Sequence, residues 1–80
     1  MNGNRHMHLD MGTAPLIEMT GNRCVTVEGS AGILHYEDNC VKINTNRMIL
    51  SFCGRGLRVR CISGSCVEIG GFISKVEFLC

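Results

Sequence analysis

Eighty residues with 45% hydrophobic side chains, 19% charged ones and a formal net charge of +1 make one small folded domain and exclude a disordered chain. The near-neutral balance excludes a global pull towards nucleic acid or an anionic membrane surface. Three Phe, one Tyr and no Trp leave no evident platform on which single-stranded bases could stack.

Residues 1–13 are polar, rich in Asn, Gly and Met, and without period. A flexible N-terminal tail is expected there, followed by a single all-β domain over residues 14–80. Within the tail, His6 and His8 form an isolated pair, too few ligands to build a metal site, and Met7 and Met11 could serve as alternative starts. The tail lacks the continuous apolar core of a secretory signal, and no apolar run reaches the ~20 residues that span a bilayer. The chain is therefore expected to stay in the reducing compartment where it is made.

Pro15 suits the start or edge of a strand, and residues 16–20 form the first strand candidate. Gly21 and Asn22 supply a turn, both tolerant of positive φ. In residues 24–28, Val25 and Val27 alternate with Cys24, Thr26 and Glu28; Gly29 to Gly32 then reads as a loop or bulge. A strand over 33–36 closes at Glu37-Asp38-Asn39. Residues 40–45 place Val41 and Ile43 inward, and the next turn, at 44–47, leads into a strand at 48–52. Leu57, Val59 and Cys61 alternate with Arg58 and Arg60, so one face is apolar and the other cationic. After a turn around Gly64, Val67 and Ile69 flank Glu68, and Val76 and Phe78 flank Glu77. Period-two alternation broken by glycine marks half-buried strands joined by tight turns.

The outcome is about eight short strands at the spacing typical of all-β domains. No helical period is sustained and the connections are too short for crossover helices, so the strands should be mainly antiparallel. The expected fold is a small two-layer β-sandwich or β-roll, and the pattern does not separate the two. The segment from Arg47 onward resembles a second copy of the strand-turn-strand pattern, too loosely to define a repeat.

Six cysteines, at 24, 40, 53, 61, 66 and 80, would suggest disulfides in a secreted domain. Without an export signal and without any Cys-x-x-Cys pair, reduced thiols filling strand positions are the simpler reading, with zinc or a structural disulfide as the alternatives. Cys61 and Cys80 fall in phase with apolar neighbours and read as buried; Cys24, Cys40, Cys53 and Cys66 are out of phase and read as more exposed. His35 is the one histidine of the ordered part, the carboxylates occur singly, and Gly54-Arg55-Gly56 lacks a phosphate-cradling pattern. No catalytic residue, cofactor or metal site is therefore assigned. Arg55, Arg58 and Arg60 form a local basic face, either a solubilising strand face or a candidate docking face for an acidic partner.

The order Pro15-Leu16-Ile17-Glu18-Met19-Thr20-Gly21-Asn22, Val25-Thr26-Val27-Glu28-Gly29, Gly32-Ile33-Leu34-His35-Tyr36, Val41-Lys42-Ile43-Asn44-Thr45, Gly54-x-x-Leu57 and Val67-x-Ile69-x-Gly71-x-Ile73, ending at Val76-Glu77-Phe78, resembles the YabP/YqfC family of small sporulation proteins of endospore-forming Firmicutes. The Gly21-Asn22 and Val-Glu-Gly…Gly-Ile-Leu segments are closer to its YqfC-like branch. The resemblance covers nearly all of residues 15–78. Two departures are visible: a glycine common in the turn before residues 48–52 is replaced around Asn46-Arg47, and the cysteine content is unusual for the family. The resemblance implies a non-catalytic protein made in the mother-cell cytoplasm, acting in spore morphogenesis at the forespore outer membrane beside a YqfD-like membrane protein encoded nearby. It implies only structural turn or bulge roles for Gly21, Gly29, Gly32, Gly54 and Gly71. No nucleic acid and no small-molecule substrate are expected as partners, the former because of the near-neutral charge and few aromatics. The alternative functions are a thiol- or zinc-dependent regulatory module and a small nucleic-acid-binding β domain using Arg55, Arg58 and Arg60. Open strand edges make a homo-oligomer a further expectation.

Overall fold

The computed structural model describes residues 14–80; the expected tail at 1–13, with its histidine pair, lies outside the described residues. Six strands follow in order: β1 (Leu16–Thr20), β2 (Cys24–Glu28), β3 (Ser30–Glu37), β4 (Cys40–Thr45), β5 (Ile49–Ser63) and β6 (Cys66–Leu79). They form one sheet, ordered β1-β2-β6-β5-β4-β3, with every neighbouring pair antiparallel. Strand candidates that looked separate in the sequence are joined. The runs at 48–52 and 57–62 are both parts of β5, and those at 67–69 and 76–78 both belong to β6. Register slips at Cys53/Gly54, Arg55/Arg58 and Val59/Cys61 explain this, because a bulge bends a strand and shifts its alternation without ending it.

The two long strands each serve two sets of neighbours. Strand β2 pairs with β6 only along residues 66–70, and β4 pairs with β5 only along residues 49–53. The sheet is thus two four-stranded meanders sharing one long hairpin. In the first meander, aligned side chains run Met19, Val25, Ile69, Val59 and Ile17, Val27, Val67, Ile62. In the second they run Ile33, Ile43, Leu50, Phe78 and Tyr36, Val41, Phe52, Val76. The central members of these rows, Val25, Val27, Val41, Ile43, Leu50, Phe52 and Ile69, are fully buried and join Val67, Leu57 and Ile73 in one core. Among the described residues no helix and no second sheet covers them. The two meanders must therefore cover each other, and the two-layer expectation is realised by a single sheet folded across itself.

Three passages carry the chain between layers, and each is fixed by backbone hydrogen bonds. At the β2–β3 corner the Gly29 and Ser30 N–H groups donate to the Ser65 carbonyl at 3.1 and 2.9 Å. Where β5 bends, Gly54 and Leu57 donate to the Asn39 and Asp38 carbonyls of the β3–β4 turn at 3.1 and 2.8 Å. Where β6 bends, Gly71 and Ile73 donate to the Arg23 and Asn22 carbonyls of the β1–β2 turn at 3.1 and 2.8 Å. The two bends are therefore related by a pseudo-twofold arrangement, in which each short hairpin lays its turn on the bend of one long strand. This correspondence of 16–28 with 30–45 differs from the loose similarity expected from Arg47 onward.

Side-chain positions differ from expectation where a bulge or an open edge intervenes. The slip after Val59 pairs Cys61 with Glu68 on the outer face instead of Val67 on the inner one, so Cys61 is exposed. Cys80 lies beyond the last β6 residue and is also exposed, while Cys24, Cys40, Cys53 and Cys66 are the half-buried ones. This reverses the expected order. Val76 and Phe78 do face inward with Phe52 and Leu50, yet stay 36% and 54% exposed because no strand flanks them on the far side. At the turn over residues 45–48 the missing glycine is not needed. The Thr45 hydroxyl donates to the Met48 carbonyl at 2.6 Å and accepts from the Arg47 and Met48 N–H groups, and no residue there has positive φ.

At Gly54 an added Cβ would run into the Phe72 carbonyl oxygen of the neighbouring strand, and backbone cannot yield as a flexible side chain can. Gly54→Ala should lower unfolding stability by at least about 2 kcal/mol, the range of changes that disrupt a packed backbone contact. The comparison is Gly21→Asn, at a φ of 53° with open space around it, which should cost under about 1 kcal/mol because Asn tolerates the left-handed region. Urea titrations of the two variants decide this; equal midpoints would remove the backbone approach as the reason for glycine.

Candidate functional site

The glycines singled out in the sequence sit at the corners and turns. Gly21 occupies the β1–β2 turn, Gly29 and Gly32 flank the start of β3, and Gly54 and Gly71 lie in the two bends. Gly71 combines a φ of 134° with close packing, since an added Cβ would lie 2.5 Å from the Gly56 carbonyl oxygen. The bends of β5 and β6 thus press against each other backbone to backbone. Gly56, at a φ of 63°, is the member of this contact that sequence reasoning missed. Its signal was the Gly-x-Gly spacing opposite the adjacent glycines 70 and 71.

Beyond the bends, β5 and β6 each run on without a β2 or β4 beside them, and the two edges are finished differently. On β5 the Val59 N–H donates to the Tyr36 hydroxyl at 3.0 Å, so β3 reaches across and caps the edge. Arg55, Arg58 and Arg60 all lie exposed along the same part of β5. Arg55 stacks over the Phe72 ring at 4.5 Å, Arg60 lies 3.9 Å from Glu68, and Arg58 lines a shallow cleft with Tyr36, Glu37 and Asp38. The three cations share a strand but are drawn to separate neighbours. Charged side chains along a free edge discourage pairing there.

On β6 the corresponding edge, residues 74–79, is not covered by any strand among the described residues. Its inward side carries Val76 and Phe78, and Leu79 at its end is 38% exposed. Its outward side carries Lys75 and Glu77, 3.5 Å apart. A row of unpaired backbone groups beside exposed apolar side chains is a template for strand addition.

The half-buried thiols fall into two settings. The Cys24 thiol donates to Glu68 Oε2 at 3.6 Å; partial burial first, then the hydrogen bond and charge of Glu68, raise its pKa above the ordinary thiol value, with Arg60 opposing. Cys40 and Cys53 stand directly opposite each other on β4 and β5, their sulfurs 3.8 Å apart. Burial first and the neighbouring Cys53 second push the Cys40 thiol up, with Ser51 and Lys42 opposing. Cys40 and Cys53 form the pair that sequence reasoning did not assemble. The turn at 45–48 held the signal, because it fixes the register that places 40 across from 53.

Elsewhere the arrangement offers little chemistry. His35 Nε2 lies 3.4 Å from Glu37 Oε1 with both side chains exposed. Among the described residues no group of three or more His, Cys, Asp or Glu could hold a metal ion, and no helix is long and apolar enough to cross a membrane. An open cleft of ≈ 420 Å³ between the layers is lined by Ser30, Ala31, Gly32, Ile33, Ile62, Gly64 and Val67. It presents the Ser30 hydroxyl and aliphatic groups without a titratable side chain. The sequence profile of the YabP family matches residues 12–80. The chain belongs to the YabP family, which is not a known enzyme family and whose membership is consistent with a sporulation-related protein. No curated protein matches the chain.

The raised thiols give stability a defined pH dependence. Because folding lifts the pKa of Cys24 and Cys40, the folded state holds their protons more tightly than the unfolded chain. That contribution is fully present below the unfolded thiol value of about 8.5. It is lost as pH rises through the folded values, where the unfolded chain ionises first. Urea midpoints measured under reducing conditions should therefore fall between neutral and alkaline pH, and C24S/C40S should flatten the fall. An unchanged slope in the double variant would remove the thiols as its cause.

Proposed function

We propose that this YabP-family chain is a non-catalytic interaction protein of spore morphogenesis that assembles by strand addition at the open edge of β6, residues 74–79. The observation that carries the reading is the contrast between the two free edges. The β5 edge is capped by Tyr36 and lined with arginines, whereas the β6 edge is uncovered and flanked by exposed Val76, Phe78 and Leu79.

The occupant the edge fits best is a second copy of itself. Two β6 edges paired antiparallel about Val76 place Lys75 of one copy opposite Glu77 of the other, twice, by the symmetry of an isologous interface. Opposite charges directly across a pair of strands are favourable and like charges unfavourable. Val76 meets Val76 at the centre, and the Phe78 rings extend the apolar inner rows into the neighbouring copy. Such a pairing also adds buried apolar surface to a domain of marginal size.

Analytical ultracentrifugation of charge variants tests the register. K75E and E77K should each weaken the dimer by placing like charges face to face, and K75E/E77K should restore it. Single variants as dimeric as the parent chain, or a double variant weaker than either single one, would overturn the pairing. A dimer lost only on removal of residues 1–13 would assign the edge to that segment instead.

In the cell we propose that the assembled protein works in the mother-cell cytoplasm, held at the forespore outer membrane by a YqfD-like membrane protein. Support comes from the family assignment. Gentle solubilisation of sporulating cells carrying the tagged chain should recover a multi-span membrane protein together with it. Recovery of nucleic acid or bound zinc in its place would move the function to the arginines or the cysteines.

A further inference from the structure

Three features of the β4–β5 ladder place Cys40 and Cys53 within bonding reach of each other. First, they are direct register partners. Second, the Gly54 N–H bonds the Asn39 carbonyl at 3.1 Å, which makes 39/54 a hydrogen-bonded position and 40/53, one step along, a non-hydrogen-bonded one. In antiparallel sheets that is the narrow position, with Cα atoms about 4.5 Å apart. This falls inside the range of about 4.4–6.8 Å that a disulfide bridges without backbone movement. Third, the two sulfurs already point at each other, 3.8 Å apart, with the Cys53 thiol donating to Cys40. With the backbone spacing typical of such a position, closing the gap between the sulfurs is a matter of side-chain rotation.

We propose that Cys40 and Cys53 form a reversible dithiol–disulfide site whose oxidant is a low-molecular-weight disulfide of the glutathione class. The exchange proceeds in two steps. One thiol loses its proton to solvent and its sulfur attacks the small disulfide, forming a mixed disulfide and releasing one small thiolate. The second thiol then loses its proton and attacks the bound sulfur, forming the Cys40–Cys53 bond and expelling the second small thiolate. Two protein thiols are oxidised and one small disulfide is reduced to two thiols. The surroundings suit an anionic co-reactant, since Lys75 pairs in register with Cys53, and Lys42, two residues beyond Cys40, pairs with Ser51.

The position of the bond gives it a structural consequence. Asn39 and Gly54, the residues next to the two cysteines, form the hydrogen bond that seats the β3–β4 turn on the β5 bend. A disulfide one step away staples that turn to the bend and locks one of the three passages between layers. The remaining cysteines lack this geometry: Cys24 pairs in register with Thr20 and Gly70, Cys66 with Glu28 and Ser63, and Cys61 with Glu68.

The test uses the full chain, reduced, desalted and exposed to oxidised glutathione. Proteolytic mapping should find the Cys40–Cys53 linkage ahead of any other, two hydrogens lighter than the reduced pair and without glutathione on either sulfur, and a phosphine should reverse it. In C40S and C53S the surviving cysteine should instead retain one glutathione. The oxidised parent should unfold at a higher urea concentration than the reduced one. If either variant fails to fold, mapping of the parent chain decides by itself. Recovery of Cys40 and Cys53 as free thiols, as two separate glutathione adducts, or linked to other cysteines would overturn the proposal. So would a lower urea midpoint after oxidation.

Discussion

A sheet without helices has one way to bury an apolar face in a chain this short: it must fold over and cover itself. Everything else follows from how closely the two bends can approach. Strands β5 and β6 cross between the layers side by side, and at that point backbone packs on backbone, Gly54 against the Phe72 carbonyl and Gly71 against the Gly56 carbonyl. A methyl group at either position would hold the long hairpin open. The inner rows would then separate, and the residues with no exposure, from Val25 in one layer to Phe52 in the other, would lose their common core. The hydrophobic term rewards closure, but the glycines make closure sterically available.

Closure would still leave polar groups of the bent segments without ladder partners, and an unpaired buried amide costs about 1–3 kcal/mol. The two short hairpins answer this in the same way. The β1–β2 turn accepts from Gly71 and Ile73, and the β3–β4 turn accepts from Leu57 and Gly54. Each turn is thus a cap for a bend belonging to a strand far away in sequence. The pseudo-twofold arrangement is a consequence of solving one problem twice. It also explains why β2 and β4 stop where they do, because beyond the bend the long strand has turned into the other layer.

The fold class and most strand positions were legible because period-two alternation survives wherever strands are regular. Val25 and Val27, Val41 and Ile43, and Val67 and Ile69 were readable as inward residues, and all six are buried. Legibility failed where the period is reset or where burial depends on a neighbour. The bulge after Val59 inverts the face of Cys61, and nothing local announces an extra residue in the ladder. Phe78 has the right phase, yet its exposure depends on a missing strand beside it, which is a property of topology and not of residues 76–78. For the candidate sites the same division holds. The arginines were visible as a cationic strand face, whereas their separate partners Phe72 and Glu68 follow from a pairing that only the hairpin register supplies. The Cys40–Cys53 pair required one further step, counting outward from the turn that Thr45 closes.

The pseudo-symmetry makes its own violations informative. If both halves were finished alike, the edge of β6 beyond its bend would carry a cap equivalent to Tyr36 on Val59. The β1–β2 hairpin does not provide one, because the residue that stands opposite Val25 as Tyr36 stands opposite Val41 is Met19, whose thioether is only a weak acceptor where tyrosine offers a hydroxyl. Strand β6 then continues from residue 74 with Val76 and Phe78 on the inner side and one cation and one anion on the outer side. On β5 the outer side carries three cations. A strand edge bearing one sign of charge repels its own copy in any antiparallel register, whereas an edge bearing Lys75 and Glu77 two residues apart is self-complementary in one. The half of the sheet that lost its cap is also the half whose charges permit pairing, and the proposal of strand addition at β6 rests on that coincidence.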